Sequence, residues 1–112
     1  MSISDQPLTE SMFYILLALH HPLHGYGISQ EIEQMTGGRL HMGAGTLYGA
    51  LKTLSKNGWI EQTGTVKDAR GKKEYKITPT GKAVFDAEVS RLKELLSNAE
   101  RIKHYEEISS DF

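Results

Sequence analysis

The chain has 112 residues, room for one domain with a modest core, and a formal net charge of −1, so overall basicity does not mark it for nucleic acid. It contains no cysteine, which excludes a disulfide framework and thiol chemistry. Its longest apolar run, Met12 to Leu19, is too short to span a bilayer, and no basic segment precedes it as in a secretory signal. A cytoplasmic protein without a membrane partner is therefore expected.

Charge is unevenly distributed. Residues 1–38 carry four acids and no lysine or arginine, residues 39–82 have a balance of +6, and residues 83–112 a balance of −3. A basic middle between acidic flanks is a local footprint of the kind nucleic-acid-binding domains show.

Residues 1–7 read as a flexible tail, after which Thr9 is placed to cap a first helix. Met12, Ile15, Leu16 and Leu19 fall on one side of that helix, with Phe13 and Leu17 on the other. A helix apolar all round is buried all round. Either it is the centre of the core, or one side meets a second subunit. His20-His21-Pro22-Leu23-His24-Gly25 then breaks it. His20 and His24 have metal-ligand spacing, but Pro22 between them prevents one helix face from holding both. Capping of the first helix is expected instead, with no metal and no cofactor.

Tyr26 to Met35 has helical period, with Ile28, Ile32 and Met35 inward and Gln30, Glu31, Glu33 and Gln34 outward, and Gly37-Gly38 ends it. Arg39 to Met42 is a linker or a brief strand, and Gly43 is placed to cap a third helix. In that helix Leu47, Leu51 and Leu54 share one face, while Thr46, Tyr48, Lys52, Thr53 and Lys56 lie on the others with no acid among them. Such a helix suits a DNA major groove or is simply solvated on its cationic side. Asn57-Gly58 stops it.

The period then changes. Trp59 to Thr63 and Lys73 to Ile77 alternate as short strands around a polar loop over residues 64–72, with Trp59 and Tyr75 expected in the packing. Pro79 opens a last helix to about Tyr105, with Phe85, Val89, Leu92, Leu96, Ala99 and Ile102 in a heptad-like stripe. That stripe either meets another copy of the chain or folds back over its own domain. The predicted fold is mainly α with a small β-hairpin. It divides into a tail over 1–7, a winged helix-turn-helix over 8–78, a dimerisation helix over 79–105 and a frayed end over 106–112.

His24-Gly25-Tyr26-x-Ile28 resembles the PadR family of bacterial transcriptional regulators. So do Gly45-Thr46-Leu47-Tyr48-x-x-Leu51, Gly58-Trp59-Ile60, the basic hairpin ending in Lys73-x-Tyr75, and Ile77-Thr78-x-x-Gly81. The likeness covers roughly residues 8–82, and the single last helix is similar to the smaller subfamily. The resemblance implies a homodimer joined through its first and last helices and a palindromic operator in double-stranded DNA. It also implies repression, often of a neighbouring detoxification or transporter gene, and release by a small molecule. The sequence departs from the pattern at Gly49, where proline is common, and at Gly43, where serine is common. Leu92 falls where some short members carry a drug-stacking aromatic, so stacking by tryptophan is not expected here.

On this reading Tyr48 donates to a phosphate or reaches a base edge; the alternative is a half-buried tyrosine under the hairpin. The small residues Ala44, Gly45 and Thr46 leave helix amides open to a phosphate, or simply cap the helix. Lys52 and Lys56 meet phosphates, Arg70 probes the minor groove or backbone, and Lys67, Lys72 and Lys73 position the wing, unless that loop is only solvated. Met12, Phe13, Leu16, Val89, Leu92, Leu96 and Ala99 form a dimer interface, either as tight core or lining a cavity for an apolar effector. No catalytic constellation appears, so no enzyme is expected. The alternative from another class is a winged-helix adaptor for protein partners without a DNA target.

Overall fold

A computed structural model of the protein describes residues 6–66 and 72–109. The element order is α1 (Glu10–Ala18), β1 (Leu23–His24), α2 (Gly25–Met35), α3 (Ala44–Lys56), β2 (Ile60–Val66), β3 (Lys72–Ile77) and α4 (Pro79–Ser109). This is the expected winged-helix order with a long final helix.

Local chemistry sets the boundaries. Thr9 caps α1, its hydroxyl accepting the Met12 amide at 3.1 Å. At the other end the His20 ring nitrogen lies 2.9 Å from the Leu16 carbonyl and 3.1 Å from that of Leu17, two of the carbonyls a helix end leaves unpaired. The other turn histidines go elsewhere. His24 caps α2, its ring accepting the Gly27 amide at 3.4 Å, and His21 pairs with Glu31 at 3.0 Å. Thr36 ends α2 by donating to the Ile32 carbonyl at 2.9 Å and accepting the Leu40 amide at 3.1 Å.

The sheet holds three strands rather than a hairpin alone. All are antiparallel in the order β1-β3-β2, with Leu23 opposite Tyr75 and Ile60 opposite Ile77. A bulge between Gln62 and Gly64 shifts the register of β2, and the Thr63 hydroxyl there donates to Glu74 at 3.0 Å. The linker 39–43 is irregular, so the brief strand lies before α2 and not after it.

One core collects Ile15, Leu16 and Leu19 of α1, Ile28 and Ile32 of α2, and Leu47, Leu51 and Leu54 of α3, all at 3% exposure or less. Ile60, Ile77 and Phe85 close it from the sheet and α4. Full burial of each such side chain stabilises by about 1.5–3 kcal/mol before entropy is counted. Met35, expected inward, is exposed, because its place in the final turn of α2 carries it past the edge of this core.

α4 joins the core only at its start. Phe85 stacks on Phe13 with ring centroids 4.8 Å apart, and its ring also lies edge-on to His20 at 4.9 Å. From Leu92 to Glu107 α4 is solvent-exposed, and the helix runs past the expected end to Ser109. Its 31 residues make a rod about 46 Å long at 1.5 Å per residue. The protein is accordingly elongated, 67 × 36 × 21 Å, with a radius of gyration of 17.6 Å, against about 13 Å for a compact chain of this length. Among the described residues no helix is long and apolar enough to cross a membrane.

Candidate nucleic-acid interface

The acid-free side of α3 faces outward. Leu47, Leu51 and Leu54 are buried, and Ala44, Gly45, Thr46, Tyr48, Gly49, Lys52, Thr53 and Lys56 are exposed. At the start of α3, Gly43 is the cap residue and supplies no side-chain hydrogen bond. Side chains added at Gly43, Gly45 or Gly49 would meet only open space. The first-turn amides therefore carry the positive end of the helix dipole on an unobstructed surface.

A cleft of about 490 Å³ separates α3 from the sheet, lined by Tyr48, Leu51, Lys52 and Ser55 on one wall and by Ile60, Glu61, Gln62, Lys73 and Tyr75 on the other. It gathers Tyr48, Lys52 and Lys73 of the predicted contact residues. Lys56 lies one turn beyond Lys52 on the same helix, and Ala44, Gly45 and Thr46 lie at its opposite end. Lys72 opens β3 opposite Val66. Lys67 and Arg70 lie outside the described residues.

Glu10 and Glu33 are engaged on the α1–α2 side, whereas Glu61, the acid nearest α3 in sequence, lines the cleft itself. Glu10 takes a bidentate pair from Arg39 at 2.6 and 3.2 Å, which holds the Glu10 carboxyl below its ordinary value. Glu33 pairs with His41 at 3.0 Å. These exposed pairs tie the linker between α2 and α3 to α1 and α2.

Two residues outside the predicted set shape this surface. A β-carbon at Gly25 would strike the Tyr48 ring, and Thr78 grips the turn that closes α3. Gly25 left a sequence signal in His24-Gly25-Tyr26, but its partner is 23 positions away on another helix.

The predicted interface residues do not share one environment. Met12, Phe13 and Val89 are half-buried against the core, whereas Leu92, Leu96 and Ala99 are exposed along α4. Leu16 is fully enclosed by the chain's own core, which removes it from any interface or cavity. Phe13 and Leu92 share a groove of about 350 Å³ with Leu8, Glu10, Tyr14 and Glu88. At its side Glu88, only 7% exposed, accepts from Arg91 at 2.8 Å through both oxygens and from the Leu8 amide at 3.1 Å.

Residues 15–87 match the profile of the transcriptional regulator PadR-like family. The chain belongs to that family. A PadR-like transcription factor from Bacteroides fragilis superimposes with a TM-score of 0.71 at 26% identity, over 82% of this chain and 88% of that one. RosR of H. salinarum gives a TM-score of 0.63 at 30% identity, over 96% of each chain. In sequence, this PadR-like chain is 32% identical over 87 residues to a 37.1 kDa transposon protein of Streptomyces fradiae, covering 77% of itself and 24% of that protein. It is 40% identical over 68 residues to protein X of Lysinibacillus sphaericus, covering 60% of itself and 62% of that protein. The PadR-like chain thus spans about a quarter of the first and under two thirds of the second.

Proposed function

We propose that this PadR-like regulator works as a homodimer that binds a palindromic operator and represses transcription from it. The observation that carries the reading is the outer face of α3. Thr46, Tyr48, Lys52, Thr53 and Lys56 stand exposed with no acid among them, next to Lys73 across the cleft. In a winged helix that face is inserted in the major groove, with lysines on phosphates and the wing on the backbone.

The dimer reading is supported by α4. Leu92, Leu95, Leu96 and Ile102 are 40–59% exposed on a helix that outruns its own core. A contiguous apolar stripe of this kind is stable in water when a second copy covers it. The groove beside Phe13 and Leu92 is apolar on most sides and lies next to that stripe, which supports an apolar effector entering there and releasing DNA.

The test is selection of bound duplexes from a random pool by the full chain. A recovered palindrome with half-sites about one helical turn apart supports the reading. Recovery of no enriched sequence contradicts it.

A further inference from the structure

The motif Ile77-Thr78-x-x-Gly81 joins the sheet to α4 beside the turn that ends α3. Thr78 lies between β3 and α4, and its hydroxyl makes two hydrogen bonds. It accepts the Gly81 amide at 3.0 Å, which caps α4. It donates to the Gly58 carbonyl at 2.6 Å. The Thr78 backbone amide donates to the Trp59 carbonyl at 3.0 Å.

Gly58 and Trp59 are the turn that ends α3. The Gly58 amide donates to Ser55 and the Trp59 amide to Leu54, both at 3.0 Å. Gly58 has φ +77°, the left-handed conformation this helix stop requires. Gly81 presses on the same turn, because a β-carbon there would run into the Trp59 carbonyl. The end of α3 and the start of α4 are thus clamped through one threonine.

We infer that Thr78 is a positioning residue. It fixes the direction of α3 relative to α4 and so sets the half-site spacing that the dimer accepts. The inference rests on the dimeric DNA-binding reading above. α4 is the element the two subunits share in that reading, so the separation of the two α3 helices depends on how each is held against its own α4. An interface of fixed geometry accepts half-sites close to one helical turn, about 34 Å, apart and rejects others. A loosened clamp would let each α3 adjust, and discrimination between spacings would fall.

Thr78→Asp separates the two bonds. A carboxylate still accepts the Gly81 amide but has no proton for the Gly58 carbonyl. Thr78→Ser keeps both. Each full-length variant is titrated against duplexes carrying the selected half-sites with spacers from two base pairs shorter to two longer than the wild-type optimum. Thr78→Ser should keep the wild-type ratio of affinities between optimal and shifted spacers. Thr78→Asp should lower that ratio at least roughly threefold, a change of about 0.65 kcal/mol in discrimination. A Thr78→Asp ratio equal to wild type, even with uniformly weaker binding, overturns the inference, since a purely structural role moves all spacers together. If Thr78→Asp does not fold, Thr78→Ala is measured on the same duplexes and judged by the same ratio. A wild-type protein with no preferred spacing overturns the dimeric reading itself, and that outcome is distinct from a preference that Thr78→Asp retains.

Discussion

The phenol ring of Tyr48 lies across the backbone of Gly25, so that a β-carbon at position 25 would come within 2.8 Å of Cζ and closer still to the hydroxyl oxygen. Gly25 is helical and does not have positive φ, so alanine suits its backbone and only the Tyr48 ring stands in the way. Gly25→Ala should therefore displace Tyr48 without unfolding α2. If Tyr48 holds a phosphate, operator affinity falls roughly fivefold, about 1 kcal/mol. In a Tyr48→Ala background the same change should do nothing further, as a double-mutant cycle by fluorescence anisotropy would read. An equal loss in both backgrounds would mean that Gly25 acts by another route.

Glu88 makes stability depend on pH. The Arg91 guanidinium first, and then the Leu8 amide, hold its carboxyl below the ordinary 4.5, against the opposing effect of burial. A lowered folded-state value means that the ionised form favours folding. That contribution is complete above pH 4.5 and is lost as pH falls through the lower folded value. Glu88→Gln should cost about 1–2 kcal/mol at pH 7. The gap to wild type should narrow progressively as the pH is lowered below 4.5. Urea titrations at neutral and acid pH give both numbers, and a gap independent of pH would exclude the ionised carboxylate as its cause.

The glycines of the helices should divide sharply. Gly49 sits inside α3 with open space around it, so Gly49→Ala should stabilise by about 0.5–1 kcal/mol through helix propensity. Gly81 abuts the Trp59 carbonyl, so Gly81→Ala should cost about 1–3 kcal/mol or more because the backbone must shift. Thermal unfolding of the two variants orders them, and similar melting temperatures would contradict the close approach at Gly81.

The exposed stripe of α4 should be where two copies meet. Leu95 and Leu96 are 50% and 59% exposed, and replacing both by glutamate places unpaired charges in any interface built on this stripe. Sedimentation should show a wild-type dimer and a monomeric double variant that keeps its helical content. A monomeric wild type would remove the dimer from the account.

Much of the fold was legible because it rests on period and punctuation. Leu47, Leu51 and Leu54 mark the buried face of α3, Thr9 caps α1, and Gly58 stops α3. The strand β1 was not legible, since Leu23 and His24 are too few to show alternation and gain their conformation from Tyr75 and Glu74. The end of α4 is not legible, because its last turns carry no stop signal. Leu16 shares a helical side with Met12 and reads as surface-facing only if the rest of the core is unknown. The exposed face of α3 was readable as a pattern, but its supports were not. Gly25 under Tyr48 and Thr78 on Gly58 join residues about twenty positions apart, and neither geometry leaves a periodic trace.

The outer face of α3 is the proposed DNA contact surface. It is tested most directly by measuring operator affinity against salt concentration for wild type and for the Lys52→Ala/Lys56→Ala variant. Each phosphate contact adds about 0.9 to the slope of log affinity against log salt, so losing two lysines from each of two subunits should reduce it by about 3.6. A shallower slope by roughly that amount, with the dimer intact, is the predicted result. An unchanged slope would contradict the claim.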